Sequence, residues 1–246
     1  MNFVKHVVWV MAGLAMAGLA QAADEACTRA LNLAPVSIKL LSAAQVQVER
    51  GAIPLVGLLR QTAGNLPEGA VLQSLKVESA VVRLQLTTVT AAMAAQLSSD
   101  LAQSLGFRPR AEVTTETNVL LQASYADLAS AFACPAATAR AVHLRSAEDQ
   151  FDALYQRAVK RDLSISLFRP KAVMKASSFK QISQYPVEFE ASGSLAELVN
   201  WLDGEARQSY AAAIHQFELT RLKDGQYQTR FEYRLAGEPV LLLAPR

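Results

Sequence analysis

The sequence predicts an α+β protein built as two similar halves, and three observations carry that prediction. Strand-period and helix-period hydrophobic patterns alternate along the chain, turn chemistry separates them at short intervals, and the order of segments is echoed in the second half. At 246 residues the chain can bury a substantial core, as one large domain or two small ones.

In the first half, Val36 to Leu41 has strand character and Ile53 to Ala63 is a helix, stopped by Asn65-Leu66-Pro67-Glu68-Gly69. Ala70 to Val77 and Ala80 to Thr87 read as paired strands. In the second, Val82, Leu84 and Leu86 alternate with Arg83, Gln85 and Thr87, the period of a sheet with one wet face. Thr90 begins a helix whose Met93, Leu97, Leu101 and Leu105 form one stripe, and Gly106 ends it. Arg110 to Glu116 and Val119 to Tyr125 are expected to close this half as a hairpin. Cys134-Pro135 and the alanine-rich run to Ala141 read as a linker.

In the second half, Ser146 caps a helix carrying Phe151, Leu154, Tyr155, Ala158 and Val159, and Leu163 to Phe168 is a strand. A basic, serine-rich segment then runs to Ser183. Val187, Phe189 and Ala191 alternate with Glu188 and Glu190, which places both acids on an exposed face. Gly193 breaks that strand, and Ser194-Leu195-Ala196-Glu197 is a capping box in which serine and glutamate each satisfy an orphan amide. The helix it opens buries Leu195, Leu198, Val199, Leu202 and Ala206. Ile214 to Leu222 and Tyr227 to Leu235 form a hairpin across Asp224-Gly225, a pair suited to a two-residue turn. Tyr227, Thr229, Phe231, Tyr233 and Leu235 face one way; Gln228, Arg230, Glu232 and Arg234 face the other. Small antiparallel sheets backed by helices are the result, so each half is expected to be a ferredoxin-like domain. One larger βαβ domain is the rival topology.

Residues 1–22 read as a secretory signal peptide. Lys5 and His6 form the basic start, Val7 to Leu19 the apolar stretch, and Ala20-Gln21-Ala22 the cleavage site. An uncleaved inner-membrane anchor is the alternative, although the stretch is short for a span. The expected organisation is therefore a signal peptide over 1–22 and domains over 23–142 and 143–246. Export implies a periplasmic location and an oxidising compartment, in which Cys27 and Cys134 are the only pair available for a disulfide. Two buried free thiols are the alternative.

The chemistry-bearing inventory is thin. With 24 basic against 22 acidic side chains, the balance argues against a general nucleic-acid binder. His143 and His215 stand alone, without a Gly-x-Ser-x-Gly elbow or a His-Glu-x-x-His pair. No metal-ligand spacing, P-loop or dinucleotide fingerprint occurs, so no cofactor, metal or catalytic residue is expected. Gly193-Ser194 could cradle an anion at its helix start, but Glu197 opposes one. Arg157, Lys160, Arg161, Arg169, Lys171, Lys175 and Lys180 stand against Asp162 alone, whereas Glu188, Glu190, Glu197, Asp203 and Glu205 have no base among them. Such asymmetry marks either a docking face for a partner or membrane surface, or two faces that neutralise one another.

The second half carries a resemblance. Phe151-Asp152-Ala153-Leu154-Tyr155, Leu163-Ser164-Ile165, Phe168-Arg169-Pro170, Tyr185-Pro186-Val187-Glu188-Phe189, Gly193, Leu195, Leu198, Trp201-Leu202 and Phe217-Glu218-Leu219 together resemble the periplasmic domain of the PilO family of type IV pilus platforms and its type II secretion counterpart GspM. That family runs a Pro-Val strand, a glycine, a helix and two strands. Leu66-Pro67-Glu68-Gly69-Ala70-Val71-Leu72 through Leu105 is similar to the periplasmic domain of PilN. Two family features are not matched: a firm membrane span and a long coiled coil before the globular part.

The resemblance implies a non-enzymatic assembly component of a pilus or secretion platform, acting through protein contacts and pairing with platform proteins or with itself. The interface candidates are Leu195, Leu198, Trp201 and Leu202 on one helix, and Arg157, Lys160, Arg161, Arg169 and Lys171 in the basic stretch. A periplasmic small-ligand or peptidoglycan-binding module is the alternative, since fold does not fix function. It requires an apolar pocket with convergent polar groups.

Overall fold

Most of the strands that the alternation marks out join one sheet. The computed structural model describes residues 38–42, 45–48, 55–64, 66–78, 81–109, 117–132, 140–143, 146–172, 174–175, 183–206 and 212–237. The first half contains α1 (Leu55–Ala63), β3 (Val71–Glu78), β4 (Val81–Thr87), α2 (Ala91–Leu105), β5 (Arg108–Pro109), β6 (Asn118–Ser124) and α3 (Tyr125–Phe132). Two short strands, β1 (Ile38–Ser42) and β2 (Gln45–Val48), precede it, and β7 (Arg140–His143) follows it. The second half contains α4 (Ala147–Val159), β8 (Ser164–Pro170), β9 (Met174–Lys175), β10 (Ser183–Gly193), α5 (Leu195–Ala206), β11 (Ala212–Arg221) and β12 (Tyr227–Gly237).

Both halves follow one wiring scheme. In the first, the strand order is β3-β4-β6-β5, and α2 links β4 to β5 with β6 inserted antiparallel between them. In the second, the order is β8-β10-β12-β11, and α5 links β10 to β11 with β12 inserted in the same way. Each crossover thus joins two parallel strands through a helix, as a parallel pair requires. The helix-then-strand pairs α1-β3 and α4-β8 open their halves and occupy equivalent places.

The sequence reading expects a separate sheet in each half. Instead β3 pairs antiparallel with β11, matching Val77 with Phe217 and Leu75 with Leu219, and the strands join into one nine-stranded sheet. All four of those side chains are at most 2% exposed. Tyr227 Oη donates to the Leu72 carbonyl at 2.9 Å across the same junction. The phenol is buried there, which pushes its pKa up. Behind the sheet, α1 packs against α5 and α5 against α4, so the helices of both halves cover one continuous core.

The local signals hold at the caps. Thr90 accepts from the Met93 amide at 3.2 Å, and Gly106 closes α2 in the left-handed region at φ 71°. Ser146 accepts from the Asp149 amide at 3.1 Å. Ser194 and Glu197 exchange the reciprocal capping-box bonds at 2.8 and 3.2 Å. The Ser194 amide and then its hydroxyl hold the Glu197 carboxyl below the ordinary carboxylate range.

Four expectations are corrected. Tyr125 starts α3 rather than ending a strand; Arg108–Pro109 pairs with β6, and the expected strand Arg110 to Glu116 lies outside the described residues. Arg140 and Ala141, read as the end of a linker, belong to β7, which pairs with β2 in a three-stranded sheet with β1. The turn between β11 and β12 is longer than two residues: the Gly225 amide donates to the Leu222 carbonyl and the Leu222 amide to the Gln226 carbonyl, with Gly225 at φ 86°. That is a tight turn followed by a left-handed glycine, the usual longer hairpin connection. The fourth correction concerns Glu188, which is only 6% exposed.

Candidate functional site

The sheet face opposite the helices is charged from one half to the other. Its side chains are the wet members of each alternation, so the strand period alone brings them together. Across the junction the register aligns Arg83 with Lys76, Lys76 with Glu218, Glu218 with Arg230, and Arg230 with Glu190. Lys76 Nζ lies 2.5 Å from Glu218 Oε1, and Arg83 bonds Glu78 at 2.8 Å.

Glu188 is the centre of this face. It accepts from Arg169 and Arg230, and Lys171 Nζ lies 3.7 Å away. Lys171 also bonds Glu232 at 2.9 Å, and Glu232 accepts from Arg234 at 2.8 Å. The hydrogen bonds from Arg230 and Arg169 pull the Glu188 carboxyl down to about 2, against the burial that opposes ionisation. A shallow cavity of about 350 Å³ lies over Lys76, Glu78, Lys171, Glu188, Glu218, Arg230 and Glu232. Every carboxylate on that lining has a cation partner within 4 Å. Lys76–Glu218 spans the β3–β11 junction, while the cations around Glu188 and Glu232 hold those two carboxyls below the ordinary carboxylate range.

The two charge runs noted in the sequence meet through these pairs. Arg157 makes a bidentate pair with Glu205 at 2.6 and 2.8 Å, tying α4 to α5, while Arg169 and Lys171 reach Glu188. Lys160 and Arg161 are exposed at the end of α4. On α5, Leu198, Trp201 and Leu202 are at most 2% exposed, and Leu195 is packed against the same core. Trp201 stacks on Phe189 with ring centroids 5.0 Å apart, and Phe189 stacks on Phe231. Leu198, Trp201 and Leu202 thus face the core, while Leu195 is half-buried at its margin.

Residues 1–22, Cys27 and Cys134 lie outside the described residues. His143 ends β7, and His215 falls at the irregularity in β11 between Ile214 and Gln216. Among the described residues no group of three His, Cys, Asp or Glu side chains could hold a metal ion. None of the described helices is long and apolar enough to cross a membrane.

A second concavity lies on the helix side of the first half. It measures about 690 Å³ and is lined by Leu66, Pro67, Met93, Leu97, Leu101 and Ala131, with Gln61, Gln96, Asp100 and Ser104 at its rim. The rim groups bond one another: Gln96 donates to Asp100 at 2.8 Å, and Ser104 to the Asp100 carbonyl at 2.7 Å.

Arg230, Glu232, Arg234, Glu218 and Lys76 were not singled out as site residues by the sequence. The signal was present in the alternation of the last strand, but it does not say which strands lie side by side.

No family model and no curated protein matches the sequence. Among solved structures, the chain is similar to the type 4 fimbrial biogenesis protein PilO from Pseudomonas aeruginosa, with a TM-score of 0.34 and 9% identity over 39% of this chain and 72% of that one.

Proposed function

We propose that this protein is a non-enzymatic periplasmic assembly component of a type IV pilus or type II secretion-like platform, acting through protein contacts. The observation that carries the reading is the course of the second half. A strand containing Pro186-Val187 ends at Gly193, α5 follows, and then β11 and β12. That is the sequence of elements for which residues 151–235 resemble the PilO-type domain. The connectivity of each half is also that of a ferredoxin-like unit with its helix-strand closing pair moved to the front. On this reading the domains run over 23–142 and 143–246, held together by the β3–β11 junction, and 1–22 is an export signal. The saturated charge pairs of the sheet face support a scaffolding role over acid-base chemistry.

The test is to tag the C-terminus in the native host, extract the envelope gently and identify what co-purifies. Recovery of pilus or secretion platform proteins is expected. A partner-free protein in the periplasmic fraction would overturn the reading.

One observation favours a second reading, a small-ligand module: the apolar groove between α1, α2 and α3 falls in the size range of ligand sites. That reading predicts a ligand-dependent rise in melting temperature that Leu97→Glu, at the groove floor, would abolish.

A further inference from the structure

The assembly reading leaves the two cysteines without a role, and the topology of the small sheet supplies one. In that sheet β2 is central: β1 pairs with one side of it and β7 with the other, both antiparallel. The two flanking strands therefore run parallel to each other, and their chains enter from the same end. Register fixes how close those entries are. Ile38, the first residue of β1, and Arg140, the first of β7, both stand opposite Val48. Two strand spacings, about 10 Å, separate them.

Cys27 precedes Ile38 by eleven residues, and Cys134 precedes Arg140 by six. Both cysteines lie outside the described residues, but the points where their segments join the sheet are described. A disulfide requires α-carbons about 4–7 Å apart. Extended, six residues reach about 20 Å and eleven about 37 Å, so two tethers that start about 10 Å apart can meet at the entry end. Along the chain the cysteines are 107 positions apart, and β2 converts that long closure into a local one. Had β7 run antiparallel to β1, the Cys134 tether would leave from the opposite end of the sheet. No third cysteine competes.

We infer that Cys27 and Cys134 are joined by a disulfide in the folded protein, tying the segment that follows residues 1–22 to the connection between the halves. Each thiol gives up its proton and one electron as the S–S bond forms. A disulfide-bearing oxidant of the exported compartment takes up both electrons and both protons and leaves as a dithiol. The bond pins β1 and β7 on either side of β2, in a sheet whose strands are only four or five residues long.

The inference rests on the export reading for its oxidant and on the small sheet for its geometry, and the experiment separates the two. The full chain is purified reduced and equilibrated, still folded, in a glutathione redox buffer. Alkylation and peptide mass mapping then read the bridged fraction, with the same equilibration in concentrated urea as the reference. A Cys27–Cys134 bridge within one chain is expected, with an effective concentration at least about tenfold higher folded than unfolded. Val46→Pro removes an amide donor from the central strand and should bring the two values together, with a thermal melt to check that the remaining fold is kept. Should that variant fail to fold, the folded-against-unfolded comparison of the wild type decides alone. Glutathione adducts in place of the bridge, bonds between chains, or equal effective concentrations folded and unfolded would each overturn the inference. So would a bridge untouched by Val46→Pro in a folded variant. A chain that forms the bridge in the buffer but is recovered reduced from cells would fault the export reading and uphold the geometry.

Discussion

Helices α1 and α4 hold the same place in two copies of one wiring scheme, yet one is enclosed and the other open. In α1 five of nine residues are buried, including Thr62, whose hydroxyl donates back to the Leu58 carbonyl at 2.7 Å. In α4 the buried positions are Gln150, Leu154 and Ala158, on one side only. The difference follows from the sheet: β3 has β11 beside it, whereas β8 ends the row among the described residues. A helix needs a second apolar side only when a second neighbour is present, so sequence follows position in the assembly and not position in the repeat.

Matched substitutions sharpen that contrast. Leu58→Asp buries a charge where two halves meet and is expected to cost more than about 4 kcal/mol, leaving little folded protein in a denaturant or thermal titration. Val159→Asp, at an exposed site on the counterpart helix, should change stability by less than about 0.5 kcal/mol. Comparable losses at the two sites would break the comparison.

The charges around Glu188 on β10 come next in size. Glu188→Gln leaves three cations facing a neutral amide and should cost about 2 kcal/mol at neutral pH, less than for a fully buried pair because Arg169 and Arg230 can return to water. The folded carboxyl titrates near 2 instead of 4.5, so its stabilisation is present above about pH 4.5 and drains away as pH falls towards 2. The gap between wild type and Glu188→Gln should therefore narrow across that window. A gap independent of pH would assign the loss to packing.

Smaller effects test the local grammar. Ser194→Ala removes the capping-box acceptor and should cost about 1 kcal/mol. Thr229 is fully buried, and among the described residues its hydroxyl has no hydrogen-bond partner. Thr229→Val should therefore stabilise by about 1 kcal/mol, raising the chemical-denaturation midpoint. A loss there would reveal a partner for that hydroxyl.

The caps and alternations were legible in the sequence because each is decided within a few residues. Ser194 and Glu197 need only one helical turn, and Tyr227 to Leu235 declares its two faces by period alone. The β3–β11 pairing was not legible: Leu75 and Val77 read equally well in an edge strand, and their partners lie far along the chain. The same gap hid the site. Glu188 alternates like any solvent-facing acid, and its burial arises only when Arg169, Lys171 and Arg230 arrive from flanking strands. Helix α3 was missed because Tyr125–Phe132 is a short apolar run, equally compatible with a strand.

One junction fuses two repeated halves into a single sheet and leaves β8 at its edge among the described residues. Native-state hydrogen exchange tests it most directly. Amides in 75–77 of β3 and 217–219 of β11 are expected to exchange only through global unfolding, while amides on the outer edge of β8 exchange by local opening. Exchange in β3 and β11 as fast as at the β8 edge would contradict it, because the two halves would then be separate sheets.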